Sequence, residues 1–402
     1  MQAPKAPSTL LVAAALALAA AVSLGLARFS YALLLPPMRS DLGWSYLTAG
    51  AMNTVNAAGY LLGALALPRI LARVDVRRVL LAGSTSAAIL LALHGIVTSD
   101  AALFALRLLT GIASAAAFVT GGVLAARLTS IPAPGSAAER GPRPAGLVLG
   151  IYYGGTGLGI IVSALLVEPL AARPVPHAWQ GAWIALGVAA LLATAAMRAP
   201  TSHLAASPAA AATPLRFRWA PFAPGLAGYF LFGLGYIGYM TFVITLLREQ
   251  RMGTAAITGF YVVLGLGVIA SSWLWAGLLQ RSRGGAALGL LNGLLAVATA
   301  LPVLSAHPLA VFASGALFGS VFLSVVASTT ALVRHNLPPA AWAGGIGAFT
   351  VVFAAGQIVG PSLVGWVADG AGGLVRGFVV SAAVLAAGSW IGWRQKPLAA
   401  MA

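Results

Sequence analysis

Gly25-Leu-Ala-Arg28-Phe29-Ser30-Tyr31 lies deep inside an apolar run that extends unbroken from Leu10 to Pro36. A helix needs about 20 apolar residues to cross roughly 30 Å of hydrocarbon. The stretch therefore reads as a membrane helix with a guanidinium near its middle. Arginine keeps its proton near neutral pH, and placing it at a helix centre costs about 2.5–3.5 kcal/mol even on insertion scales. Such a residue persists where it lines water-filled space or meets an anion. The alternative is a structural arginine whose donors go to carbonyls of a neighbouring helix.

The rest of the chain has the same character. Of its 402 residues, 60% are hydrophobic and 7% charged, and the mean hydropathy is +0.94; soluble domains carry about 25% charged residues. Apolar stretches long enough to span fall near 10–36, 46–68, 79–98, 102–127, 145–168, 178–197, 222–247, 255–280, 284–304, 308–333, 341–368 and 374–393. The connections are short except at 128–144 and 198–221. The second is rich in Ala, Pro and Ser and reads as a flexible cytoplasmic linker over 199–221, between six-helix bundles at 1–198 and 222–402.

The net charge of +16 follows the same spacing. Lys5, Arg69/Arg73/Arg77/Arg78, Arg127/Arg140/Arg143, Arg198/Arg216/Arg218, Arg281/Arg283, Arg334 and Arg394/Lys396 fall in every second gap. The gaps between hold only Arg39, Arg173, Arg248, Arg251 and Arg376. That alternation predicts both termini on the cytoplasmic side. It is not the continuous basic patch of a nucleic-acid binder. Zero cysteines exclude disulfides, thiolate metal sites and a cysteine nucleophile. Ala15-Leu16-Ala17 resembles a cleavage site, but the apolar run continues well past it, so it reads as an uncleaved first helix.

The two halves repeat one another. Gly25–Tyr31 matches Gly233-Leu-Gly-Tyr236-Ile-Gly-Tyr239 at an offset of 208, making Tyr236 the mate of Arg28. Gly59, Arg77 and Gly83 match Gly265, Arg283 and Gly289 at 206, and Gly111 matches Gly315 at 204. Gly155, Gly159 and Glu168 match Gly356, Gly360 and Asp369 at 201. Six helices return the second half to the orientation of the first. The expected fold is an all-α membrane protein of twelve transmembrane helices in two six-helix pseudo-symmetric bundles, related by an axis along the membrane normal.

The seven acids, Asp41, Asp75, Asp100, Glu139, Glu168, Glu249 and Asp369, all fall in loops or at helix ends. A mid-depth carboxylate relay is therefore missing, and the deep ionisable groups are Arg28 and Arg107. A cavity holding Arg without carboxylate favours an anion and disfavours a lipophilic cation. Arg28 can fork onto a carboxylate or phosphate, whereas Arg107 reads equally well as a tie to a neighbouring helix. Tyr31, Asn53, Asn56, Tyr60, Tyr152, Tyr153, Tyr236, Tyr239 and Gln357 supply a polar-aromatic lining. Such groups need hydrogen-bond partners when buried, which substrate, water or another helix can provide. Trp273 and Trp275 read as packing or interface anchors. The histidines 94, 177, 203, 307 and 335 show no metal-ligand spacing, and no nucleotide-binding or catalytic-triad sequence occurs. Neither metal nor cofactor is expected, and no enzyme activity.

Arg107-Leu-Leu-Thr-Gly111 resembles the RxxxG motif in helix 4 of the major facilitator superfamily. Gly356-Gln357-Ile-Val-Gly360-Pro361, with Gly365 and Asp369, is similar to its helix-11 pattern. Arg28-Phe29-Ser-Tyr31 with Leu35-Pro36 and Met38, then Asn56-Ala-Ala-Gly59-Tyr60-Leu-Leu-Gly63, looks like the YbfB/YjiJ-like branch. This resemblance covers essentially the whole chain. It implies solute transport across a bacterial inner membrane by rocking of two halves around a central site. Two departures stand out. In Leu71-Ala-Arg73-Val-Asp75-Val-Arg77-Arg78 the basic cluster of the loop 2–3 latch is kept, but Ala72 replaces its acid, leaving Asp75 to substitute. The Gly-rich helix 5 lacks the Gly-Pro pair of drug/proton antiporters.

The reading is of a monomeric transporter of a small organic anion, a carboxylate foremost, with coupling through the substrate's own proton. An exporter of neutral sugars or drug-like solutes is the alternative. A non-transporting membrane sensor of the same fold is the alternative from another class.

Overall fold

The computed structural model describes residues 8–130, 145–204 and 217–398. Among them, twelve helices are long and apolar enough to cross a membrane. They are α1 (Thr9–Leu42), α2 (Tyr46–Leu71), α3 (Val76–His94), α4 (Asp100–Thr129), α5 (Gly146–Ala171), α6 (Ala178–Arg198), α7 (Ala220–Glu249), α8 (Thr254–Arg281), α9 (Ala286–Leu304), α10 (Pro308–Asn336), α11 (Pro339–Ala368) and α12 (Gly373–Trp393). Each sits on one of the apolar runs. Lys5, Glu139, Arg140, Arg143, Arg216 and the middle of the 199–221 linker lie outside the described residues.

The largest difference from the apolar pattern is in α1, which continues through Pro36 and Pro37 to Leu42. It stops there because Gly43 takes a left-handed conformation (φ 66°), and the Trp44 amide returns to the Arg39 carbonyl at 3.0 Å. Elsewhere polar residues define the starts. The Ser45 side chain accepts from the Thr48 amide, and that of Asp75 from the Arg78 amide. Asp75, the expected stand-in for the latch acid, is thus engaged as the cap of α3.

α1 is not uniform either. Ala21–Phe29 is wound as a π-helix, with the Ser30 amide reaching back five residues to the Gly25 carbonyl at 3.0 Å. The Ser23 and Ser30 hydroxyls bond the Ala19 and Leu26 carbonyls at 2.7 and 2.6 Å. Such wide turns concentrate at functional positions, and this one carries Arg28.

Packing follows the repeat. In the first half α2 and α3 lie on α4, and α1 on α5; in the second, α8 and α9 lie on α10, and α7 on α11. The halves meet along α2–α11 and α5–α8, and where the last part of α1 crosses α7. Mapping α1–α6 onto α7–α12 exchanges the first two seams, as a two-fold relation requires. Close contacts place the mates. A Cβ on Gly155 would strike the Ala17 carbonyl of α1, and one on Gly356 the Phe230 carbonyl of α7. In the same way, Gly159 and Gly360 abut the Ala21 and Leu234 carbonyls.

Three expected matches need correction. The carbonyls just named pair Ala17 with Phe230 and Ala21 with Leu234, an offset of 213 in place of 208, so Gly25–Tyr31 does not fall on Gly233–Tyr239 and Tyr236 is not the mate of Arg28. Gly59 abuts the Leu108 carbonyl and Gly267 the Ala316 carbonyl, while Gly111 abuts the Asn56 carbonyl and Gly319 that of Leu264. The mates are therefore Gly59 with Gly267 and Gly111 with Gly319. Gly265 instead faces Gly157 across the α5–α8 seam, and Gly315 lies on the Phe260 ring.

The start of α1 and the end of α12 lie on one face of the bundle, here the terminal face. Tryptophan is divided unevenly: Trp44, Trp179 and Trp183 of the first half are buried, whereas Trp219, Trp273, Trp366, Trp390 and Trp393 of the second are exposed.

Gly111→Ala is expected to destabilise the bundle by about 1–3 kcal/mol through overpacking, because its new methyl meets backbone. Gly347→Ala, which meets nothing within 4 Å, leaves stability unchanged or slightly raised. Thermal unfolding in detergent separates the two.

Candidate functional site

Arg28 projects from the π-helical segment and is buried, with 4% of its surface exposed. Its Nε and Nη2 have no hydrogen-bond partner. The guanidinium carbon lies 5.9 Å from the centre of the Tyr60 ring. Tyr236 accepts a hydrogen bond from Gln357 Nε2. Tyr60 is half-buried and Tyr153 39% exposed. Phe29, the chain neighbour of Arg28, meets Tyr236 of the second half through Phe322, and Tyr236 is held by Gln357.

Arg107 is the contrasting case. It is fully buried, and Nη1 donates to the Ala27 carbonyl at 2.9 Å and Nη2 to Asn53 Oδ1 at 3.3 Å. Its guanidinium lies 4.8 Å from the Tyr31 ring centre, and its own carbonyl accepts from Asn56 Nδ2 at 3.0 Å. Arg107 therefore ties α1, α2 and α4 together. Several other candidates are similarly engaged. Tyr31 donates to the Ala49 carbonyl at 2.9 Å and Tyr152 to that of Phe118 at 2.5 Å, while Tyr239 pairs with Ser314 at 2.7 Å. These hydroxyls hold helices together and are not free for a ligand.

An aromatic wall backs the site, and sequence reasoning did not find it. Phe232, Phe353 and Phe322 stack on Tyr236 at 4.6, 5.7 and 6.0 Å, and Phe29 meets Phe322 edge-on at 5.6 Å. Phenylalanines scattered over α1, α7, α10 and α11 give no local signal of this convergence.

The face opposite the termini is bolted by polar contacts between the halves. Asp369 at the end of α11 accepts from the Tyr46 and Leu47 amides at 2.7 and 2.9 Å, capping α2 from the other half. The Tyr46 hydroxyl bonds Glu249. Arg248 of α7 pairs with Glu168 of α5 at 2.8 Å. Deeper, Thr54 donates to the Ile358 carbonyl at 2.7 Å, Asn53 to Thr241 at 2.8 Å, and Tyr261 to the Phe29 carbonyl at 2.5 Å. At the terminal face Arg77 donates within its own half, to the Arg198 carbonyl at 2.7 Å, and Arg73 and Arg78 are exposed. Glu168 was expected simply at a helix end; it is completely buried, because the other half covers it.

Among the described residues no three His, Asp or Glu side chains are grouped to hold a metal ion. Twelve membrane-spanning helices in two packed halves have the fold of the major facilitator transporters. The chain belongs to the family described as "Uncharacterised MFS-type transporter YbfB", whose model matches residues 20–392. Comparison with curated proteins found no match.

Among solved structures it resembles a variant of the nucleoside transporter NupG (TM-score 0.72, 14% identity, 95% of this chain and 98% of that one). It also resembles a bacterial homologue of the human lysosomal transporter Spinster in an inward-facing, unoccupied conformation (TM-score 0.70, 14% identity, 97% of each chain). At that identity the likeness concerns the fold. The protein is a multi-pass membrane transporter.

Removing Arg28 and removing Arg107 should have opposite effects on stability. Arg107→Leu breaks charged hydrogen bonds worth about 1.5–3 kcal/mol each and lowers the melting temperature. Arg28→Leu deletes an unpaired buried charge and leaves the melting temperature equal or higher. Thermal unfolding of the two variants beside the parent is the measurement.

Proposed function

We propose that the chain is a secondary-active transporter of a small organic anion, a carboxylate foremost, which Arg28 clamps. The observation that carries this is the pair of buried, unpartnered nitrogens on Arg28. A buried donor without an acceptor costs about 1–3 kcal/mol, more when charged. An entering carboxylate satisfies both nitrogens through a fork that a lysine cannot reproduce. The Tyr60 and Tyr153 rings, with the Phe353 edge of the wall, suit the apolar body of such an acid, and the Tyr60 and Tyr153 hydroxyls can bind its second oxygen.

In this reading the six-helix units at 1–198 and 222–402 rock about the site, with 199–221 as their linker. The lysine and arginine distribution assigns the terminal face to the cytoplasm of a bacterial inner membrane. The bolted face is then external. Substrate neutralises Arg28, and a neutral site crosses between faces more readily than a bare cation in a low-dielectric interior. The substrate's own proton can travel with it.

The test compares a carboxylate with its uncharged amide by uptake into proteoliposomes and by ligand-induced thermal shift. The acid should bind roughly ten- to a hundred-fold more tightly, the equivalent of about 1.5–3 kcal/mol. Arg28→Lys loses most of that preference and Arg28→Ala all of it, while both variants still insert and fold. Equal responses to acid and amide, or normal transport by Arg28→Ala, would refute the anion assignment and favour a neutral solute.

A further inference from the structure

The second half carries only two acids, Glu249 and Asp369, and both stand at the face opposite the termini. Its terminal face therefore has no acidic side chain, yet Arg281, Arg283, Arg394 and Lys396 are all exposed there. Backbone contacts gather these cations. The tail that follows α12 crosses the start of α9, where the Gly285 amide donates to the Gln395 carbonyl at 2.7 Å. Beyond Lys396, the Leu398 amide donates to Asn336 Oδ1 at 2.6 Å, at the end of α10. Asn336 Nδ2 in turn donates to the Arg283 carbonyl at 2.8 Å, and His335 Nδ1 to that of Ser282 at 2.9 Å. The tail is thus fixed on both sides of Lys396, and the loop bearing Arg283 is fixed against it.

Like charges held on a fixed frame repel, and nothing in this half offsets them. The ion pairs among the described residues, Asp41 with His177 and Glu168 with Arg248, lie at the other face. The first half treats its own terminal-face cation differently, because Arg77 donates to the Arg198 carbonyl and the Thr201 hydroxyl. The patch also borders lipid. Trp390 and Trp393 in the last turn of α12 are 60% and 55% exposed, and exposed indoles mark headgroup depth. The Arg394 guanidinium lies 3.7 Å from the centre of the Trp390 ring. Stacking occupies the face of the guanidinium and leaves its in-plane donors for an oxyanion. Below the patch, Leu290 and Val297 of α9 are exposed one above the other on an apolar flank.

We propose that Arg283, Arg394 and Lys396, with Arg281 at their edge, bind the phosphate of an anionic phospholipid whose acyl chains lie on the flank of α9 and α12. Basic clusters at the ends of membrane helices take such headgroups, at about one factor of five in affinity per cation. A zwitterionic headgroup brings a cation of its own into a site that already has four, so it binds less well. Inorganic phosphate lacks the chains that the apolar flank accommodates. The inference does not depend on what Arg28 binds.

The test titrates the full chain, purified in a neutral detergent, with dioleoylphosphatidylglycerol, dioleoylphosphatidylcholine or inorganic phosphate and follows the thermal midpoint. Phosphatidylglycerol should raise the midpoint at concentrations where the other two leave it in place. The triple variant Arg283→Gln/Arg394→Gln/Lys396→Gln should need about a hundredfold more phosphatidylglycerol for the same shift. The control Arg69→Gln/Arg73→Gln/Arg78→Gln removes three exposed cations from the same face of the other half, and it should keep the parent's response. Lys396→Gln alone, at an exposed side chain, should weaken the response roughly fivefold and serves if the triple variant does not fold. Equal shifts with the two lipids, a shift of the same size with inorganic phosphate, or equal losses in the two triple variants would overturn the proposal. The last result would mean diffuse attraction to a basic face and no site.

Discussion

A bilayer interior offers no hydrogen bonds, so each helix must satisfy its own backbone. What remains for joining helices is close packing and a small number of polar side chains. In this chain the packing is done largely where glycine lets two backbones touch: Gly25 on Gly159, Gly59 on Leu108, Gly157 against Gly265. The polar ties are few enough that each can be assigned a task. Arg107 is the hub of the first half, reaching a carbonyl of α1, a side chain of α2 and the face of Tyr31 at once. That hub places both of its terminal nitrogens and leaves only Nε unpartnered, whereas Arg28 has no partner at Nε or Nη2.

The polar ties between halves lie toward one face. At the other, the basic loops bond within their own half, as Arg77 does with Arg198. The seams α2–α11 and α5–α8 run beside the site. Glycine there lets the two backbones approach, as Gly50 does at the Pro361 carbonyl and Gly157 at that of Gly265.

Much of this was legible in the sequence. Twelve hydropathic runs gave the spans, since length and apolarity are fixed by the membrane and owe little to tertiary detail. Arg28 was legible for the same reason: its cost is set by depth. The repeat was legible in outline and misregistered in detail, because with 48 glycines a shift of a few residues still finds a glycine to match. The π-wound turn at Ala21–Phe29 left no periodic trace, and only the flanking serines hint at it. Tyr31, Tyr152 and Tyr239 were expected to face a ligand, but a hydroxyl does not reveal in sequence whether its partner is a substrate or a carbonyl of another helix. Glu168 was hidden by distance along the chain, since the residue that makes it a dry ion pair lies 80 positions away.

The uneven placement of tryptophan bears on how the machine is seated. Indole rings prefer the headgroup layer, where the apolar body and the N–H are both accommodated. All the exposed indoles of this protein stand on the second half, four of them towards the terminal face and Trp366 towards the other, while the first half keeps its three inside. The bilayer therefore grips the two halves unequally. The rings suited to the headgroup layer are carried by the second half, and the first half presents none of its indoles to lipid.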